Sequence, residues 1–115
     1  MTVEITERDG VPVAHVAGSL DVTNAERLTE ALGSAVPNAA LGLVIDLRKI
    51  THLDSAGIHV LFDTIKRLDR RQQQLNVVVA DQSIVADVAA ATDLGSYAGV
   101  HLDLDEAIEH LRTAA

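Results

Sequence analysis

Asp54-Ser55-Ala56-Gly57 sets a hydroxyl beside a carboxylate where a strand-like run meets a helix-like one. Leu43, Val44 and Ile45 form the apolar strand run. Ile58, Leu61, Phe62, Ile65 and Leu68 then recur three or four residues apart, the spacing of one helix face. A helix start carries unpaired backbone N–H groups and the positive end of the helix dipole, so it favours negative charge. Two chemistries fit Ser55. It can carry a phosphate, or its Oγ can accept a backbone N–H as a cap.

Other polar residues offer less. Asp21 follows an apolar stretch, as Asp54 does, so the two carboxylates are expected at one end of a sheet. Asp46 lies inside a buried strand pattern and reads as structural, its carboxylate hydrogen-bonded nearby. His52 and His59 flank Ser55 and suggest a hydrolase triad, but the nucleophile-elbow pattern G-x-S-x-G is absent. Their spacing matches no zinc motif, and the chain has no cysteine, so no metal site is expected. Lys66, Arg67, Arg70 and Arg71 form the basic cluster, placed to complement a helix C-terminus. No G-x-x-x-x-G-K-[ST] phosphate loop occurs, so no cofactor or nucleotide site is legible. An enzyme is not expected, because no complete catalytic set is present.

Composition narrows the class further. A chain of 115 residues fits one compact domain, here 1–115, with a core that needs no staples. One Phe, one Tyr and no Trp leave an aliphatic core and no aromatic platform for stacking bases. The net charge of −8 argues against DNA, RNA or anionic lipid and favours a basic protein partner. The N-terminus lacks a signal-peptide pattern, and no apolar run approaches the ~18 residues of a membrane span. A cytoplasmic location without membrane insertion is the expectation.

These residues need a scaffold. Val3 and Ile5, then Val11 and Val13, alternate with polar neighbours around Asp9-Gly10, a hairpin signal that makes the first two strands antiparallel. Thr23 or Asn24 is placed to cap a helix carrying Leu28, Leu32, Ala35 and Val36, which Pro37-Asn38 ends. The Leu43 strand, the Ser55 helix and a strand from Leu75 to Ala80 form a parallel β-α-β unit. Asp81-Gln82-Ser83 opens a third helix with Ile84, Val85, Val88 and Ala89 inward. Val100 to Leu102 is a short last strand, and Asp103 or Asp105 opens a closing helix with Ala107, Ile108 and Leu111 on one side. The fold class is α/β: a mixed sheet with an N-terminal antiparallel hairpin, parallel central strands and about four helices.

Several of these segments together resemble the STAS domain family, in particular its anti-anti-sigma factors, the antagonists of anti-sigma factors. Gly18-Ser19-Leu20-Asp21 is similar to the family's G-x-L-D element, and Val44-Ile45-Asp46-Leu47 to its central strand. Ile50 to Ile58 is similar to the signature loop and helix start, and Asp105-Glu106-Ala107-Ile108 to the opening of the last helix. The resemblance implies a switch. The unphosphorylated domain binds an anti-sigma factor that is also a serine/threonine kinase, and so frees a sigma factor. Phosphorylation of the loop breaks the complex, and a phosphatase resets it. Carried onto this sequence, the partner-binding residues are Asp21, Asn24, His52, Leu53, Asp54, Ser55, Gly57 and Ile58. The usual phosphate acceptor directly precedes Gly; here that position is Ala56, so Ser55 is the remaining hydroxyl in the motif. Either Ser55 takes the phosphate or the partner is bound without phospho-control. D-S-A-G also resembles the motif of STAS accessory subunits of lipid-transport ABC transporters, a second reading. The hairpin edge and an exposed Ile58 leave a homodimer open.

Overall fold

The two-residue loop Asp9-Gly10 has φ of +54° and +81°, the paired positive values of a type I′ turn. It joins β1 (Thr2–Arg8) to β2 (Val11–Leu20), which pair antiparallel from Thr2↔Ala17 to Arg8↔Val11. In this computed structural model, which describes residues 1–113, the remaining elements are α1 (Ala25–Ala35), β3 (Gly42–Leu53), α2 (Ser55–Arg70), β4 (Gln74–Val78), α3 (Ile84–Ala91), β5 (Gly99–His101) and α4 (Leu104–Thr113). A short 3₁₀ turn, Leu94–Ser96, precedes β5.

The sheet order is β1-β2-β3-β4-β5, and every pairing after the first is parallel. Right-handed crossovers that step across a sheet in one direction leave their helices on one face. Accordingly α1, α2 and α3 share the larger core, with Ala14, Val16, Leu43, Ile45, Leu47 and Val77 from the sheet. The opposite face is smaller. There α4 seats Ala107, Ile108 and Leu111 on Val11, Val13, Val44 and Val78. Alternation along β2 and β3 therefore assigns one residue set to each layer. The molecule is a single α/β domain with a mixed sheet and four α-helices, as the hydrophobic pattern predicts.

Three local expectations are corrected. The fourth strand ends at Val78, not Ala80, because its partners Asp46 and His101 mark the end of the ladder on both sides. Ile84 is 45% exposed rather than inward. In this eight-residue helix the i, i+4 pair Val85 and Ala89 is buried, Ala86 and Val88 pack half-buried beside it, and the first residue turns away. The third strand is far longer than its apolar run, reaching Leu53. Register shifts between His15 and Ala17 and between Gly18 and Ser19 let β2 follow it.

Candidate functional site

Leu20 pairs with Leu53 as the last residues of β2 and β3, and the Asp54 N–H donates to the Leu20 carbonyl at 3.3 Å. Asp21 and Asp54 thus leave the same sheet edge side by side, as expected from their following adjacent strands. The edge is the C-terminal end of the parallel strands, where open α/β sheets place their sites.

Asp54, not Ser55, caps α2. Its Oδ1 accepts the Ala56 N–H at 2.9 Å and the Gly57 N–H at 3.2 Å. Extended backbone at Asp54 (φ −106°, ψ −173°) gives the reach a cap requires. This removes the capping role considered for Ser55. Ser55 is instead the first helical residue; it is exposed, and its Oγ has no hydrogen-bond partner among the described residues. Carboxylate and hydroxyl differ in what they do here: the first holds the helix, and the second is left unbonded.

Gly57 has a close-approach reason to be glycine. A Cβ there would lie 2.4 Å from Leu53 Cδ1 and 2.9 Å from Leu20 Cγ. Helix α2 therefore starts flush against the two strand ends. Gly57 and Leu53 are buried, so they shape the edge from below and present no surface to a partner. Ile58 is half-buried and packs on the core, as its place in the helical pattern suggests, rather than standing exposed as the homodimer reading had it.

Asp21 is the hub of the neighbouring turn. Its Oδ1 accepts the Thr23 hydroxyl and the Thr23 N–H, the latter at 2.9 Å, and its Oδ2 accepts Ser19 Oγ at 3.2 Å. Donation from the Thr23 hydroxyl, then from its backbone, holds the Asp21 carboxyl below its ordinary value despite some desolvation; Ser19 and His52 add to this. The group stays ionised. Neither Thr23 nor Asn24 caps α1 through its side chain. Thr23 bonds back to Asp21. Asn24 Nδ2 donates to the Ser19 carbonyl at 2.8 Å, and its Oδ1 accepts the Asp21 N–H at 3.0 Å. Asn24 rigidifies the turn with both ends of its amide. His52 and His59 are exposed and lie outside the hydrogen bonds of the loop.

One residue of this edge escaped sequence reasoning. Val22, between Asp21 and Thr23, is 75% exposed, the most exposed large apolar side chain described. The available signal was its place: it fits neither the strand period of β2 nor the helical period of α1, yet it is apolar. Among the described residues no cluster of three His, Cys, Asp or Glu could hold a metal ion, and no helix is long and apolar enough to cross a membrane.

A second polar cluster lies farther back on the same strands. Asp46 accepts Arg48 Nε and Nη2, each at 2.9 Å, and meets His15 Nδ1 at 3.1 Å. His15 Nε2 lies 3.1 Å from Thr6 Oγ1. Burial alone would push the Asp46 carboxyl up, but hydrogen bonds from Arg48 and His15 outweigh it and hold the group below its usual value. This matches the structural role read for Asp46; His15 was not singled out in the sequence.

The family model described as the STAS domain matches residues 2–107. The chain belongs to the STAS domain family. Among curated relatives, this STAS domain is 34% identical over 68 residues to the anti-sigma-F factor antagonist RsfB of Mycobacterium tuberculosis, covering 59% of this chain and 56% of RsfB. The chain thus spans little more than half of that relative's length. It is 34% identical over 76 residues to the anti-sigma-B factor antagonist of Listeria monocytogenes, covering 65% of this chain and 67% of the other. Among solved structures, an anti-sigma factor antagonist from Mycobacterium paratuberculosis superposes with a TM-score of 0.86 at 29% identity, over 96% of this chain and 93% of that one.

Proposed function

We propose that this STAS domain is an anti-sigma factor antagonist, a cytoplasmic binding module and not an enzyme. Its docking face is the edge formed by Asp21, Val22, Asp54, Ser55 and the exposed rim of Ile58. The partner is an anti-sigma factor with serine/threonine kinase activity, which phosphorylates Ser55; a phosphatase restores the binding form. One observation carries the reading: an exposed serine with a free Oγ at the start of α2, its capping function already supplied by Asp54. The names borne by the relatives favour this over an accessory subunit of a lipid transporter.

The physics of the switch follows from that position. A phosphate adds about −1.5 to −2 charges. Within the domain the helix start tolerates it, with a gain of about 0.3–1 kcal/mol. In a packed interface it would sit against Asp54 and near Asp21, and like charges brought together there cost several kcal/mol. Since about 1.4 kcal/mol is tenfold in affinity, the complex dissociates while the fold survives.

Affinity capture of the tagged protein from its host, with mass spectrometry of partners and of the Ser55 peptide, tests the reading. A kinase-type anti-sigma factor together with phosphorylated Ser55 supports it. Transporter subunits, with Ser55 always bare, would overturn it. Val22→Asp and Asp21→Lys, both at the rim, should abolish capture without unfolding the domain.

A further inference from the structure

The sheet has two edges, and they are built differently. β5 closes one with three residues, Gly99–His101. So short an edge gives a foreign strand little to pair with. β1 forms the other with seven residues, paired to β2 without a break in register from Thr2↔Ala17 to Arg8↔Val11. It carries no proline, no lysine and no bulge, devices that commonly blunt an edge. The hairpin also fixes which main-chain groups are spare. Arg8 and Val11 flank the two-residue turn, so they form a hydrogen-bonded pair, and such pairs alternate along an antiparallel ladder. Thr6, Glu4 and Thr2 therefore also direct their N–H and C=O groups to β2. Val3, Ile5 and Glu7 turn theirs outward, and no other described element pairs with them. Ile5 is 43% exposed, beside a groove of about 430 Å³ walled by Pro12, Ala35, Pro37 and Ala40.

An edge of this kind can accept a second copy of itself, antiparallel, about a twofold axis. The outward groups allow three well-overlapped registers, and charge separates them. Centred on Glu4, the pairing sets Glu4 against Glu4 of the second copy, like charges directly opposite. Centred on Thr6, it leaves Val3 unpaired and sets Glu4 opposite Arg8, which Asp105 of its own chain already holds. Centred on Ile5, it pairs Val3 with Glu7, Glu4 with Thr6 and Thr2 with Arg8. All seven residues of β1 are then matched, no like charges stand opposite, and the two exposed isoleucines meet. Every outward N–H and C=O of Val3, Ile5 and Glu7 gains a partner. We propose that this chain forms a twofold dimer through β1, with Ile5 on the axis, merging two sheets into one. Ser55 follows β3, two strands in from this edge. Both Ser55 edges therefore stay open in the dimer and point in opposite directions, and the interface does not depend on how that loop is used.

Sedimentation velocity of the whole chain over a concentration series tests the association, which should pass from one chain to two as concentration rises. Ile5→Pro removes an outward N–H but no hydrogen bond to β2, and Ile5→Lys sets two cations against each other on the axis. Each should weaken dimerisation at least about tenfold. Circular dichroism checks that each folds, and Ile5→Lys carries the test should Ile5→Pro unfold. The chain has no cysteine, so single cysteines map the register. Ile5→Cys should form a disulfide dimer under mild oxidation, since hydrogen-bonded antiparallel neighbours stand about 5.5 Å apart between Cα atoms, within disulfide range. Glu4→Cys and Thr6→Cys should link to each other when mixed, and neither should link to itself. Self-linking of either would overturn this register. Linking of Ile5→Cys no faster than that of Leu102→Cys, exposed beyond the far edge, would reduce it to random collision and overturn the proposal. So would a dimer that Ile5→Lys leaves intact, or a monomer at every concentration up to about 1 mM.

Discussion

Strands β2 and β3 carry two clusters built from similar residues, and the clusters differ in what they leave unbonded. Around Asp46, both carboxylate oxygens are engaged by Arg48 and His15, and His15 reaches on to Thr6. Around Asp54, one oxygen takes two backbone N–H groups and the adjacent Ser55 hydroxyl takes nothing. Both contain a carboxylate, a hydroxyl and a nearby histidine. A saturated cluster ties three strands together and has no capacity left for a ligand. The unsaturated one sits at a helix start, at the exposed edge, with binding capacity in reserve. The second has groups in reserve because they are exposed, where water solvates them cheaply.

The strongest test of that contrast is the wedge beneath the open cluster. An alanine in a helix interior is ordinarily better than glycine by up to about 1 kcal/mol. At Gly57 the sign reverses, because Leu53 and Leu20 occupy the space. Gly57→Val should destabilise the fold by about 3 kcal/mol, lowering the melting temperature by roughly 10 °C. A neutral result in thermal denaturation would mean that α2 does not abut the strand ends, and the site geometry would fall with it.

Next in size is the saturated cluster. Asp46→Ala should cost about 1.5–3 kcal/mol at pH 7, since it strips hydrogen bonds to a charged group and strands Arg48 and His15. The pH dependence has a definite sign. The Asp46 carboxyl lies below its ordinary value in the fold, so its contribution is complete above the unfolded value of about 3.9 and is lost as pH falls through the folded one. Urea midpoints of wild type and variant should converge as the pH drops below about 4. A constant gap down to pH 2 would show that packing, not the charged network, supports β2 and β3 here.

Much of this was legible in the chain. Hairpin, β-α-β unit, family and the helix faces other than Ile84 of α3 followed from period, turn residues and motif order. The edge placement of Asp21 and Asp54 followed from each trailing a strand. What did not follow is instructive. Ser55 or Asp54 as the cap cannot be chosen from type, since both residues are good caps; a one-residue shift in the helix start decides it. Leu53 and Gly57 read as contact residues because a motif does not reveal which of its members face inward. His15 was invisible, because its partners Asp46 and Thr6 are distant in sequence and meet it only across the ladder.

Smaller effects separate the two neighbours in the open cluster. Asp54→Ala removes a cap and should cost about 1 kcal/mol, less than Asp46→Ala. Ser55→Ala should change stability by no more than about 0.5 kcal/mol, because an exposed hydroxyl without a partner contributes little. Ser55→Glu should be neutral or gain about 0.3–1 kcal/mol from charge at the helix start. Denaturant midpoints at unchanged slope would measure all three. If Ser55→Ala cost as much as Asp54→Ala, the hydroxyl would be capping after all, and the reserve capacity that distinguishes this cluster from the Asp46 one would vanish. If it is silent, while Ser55→Glu folds well and no longer captures the partner, the serine is held out for modification rather than for the fold.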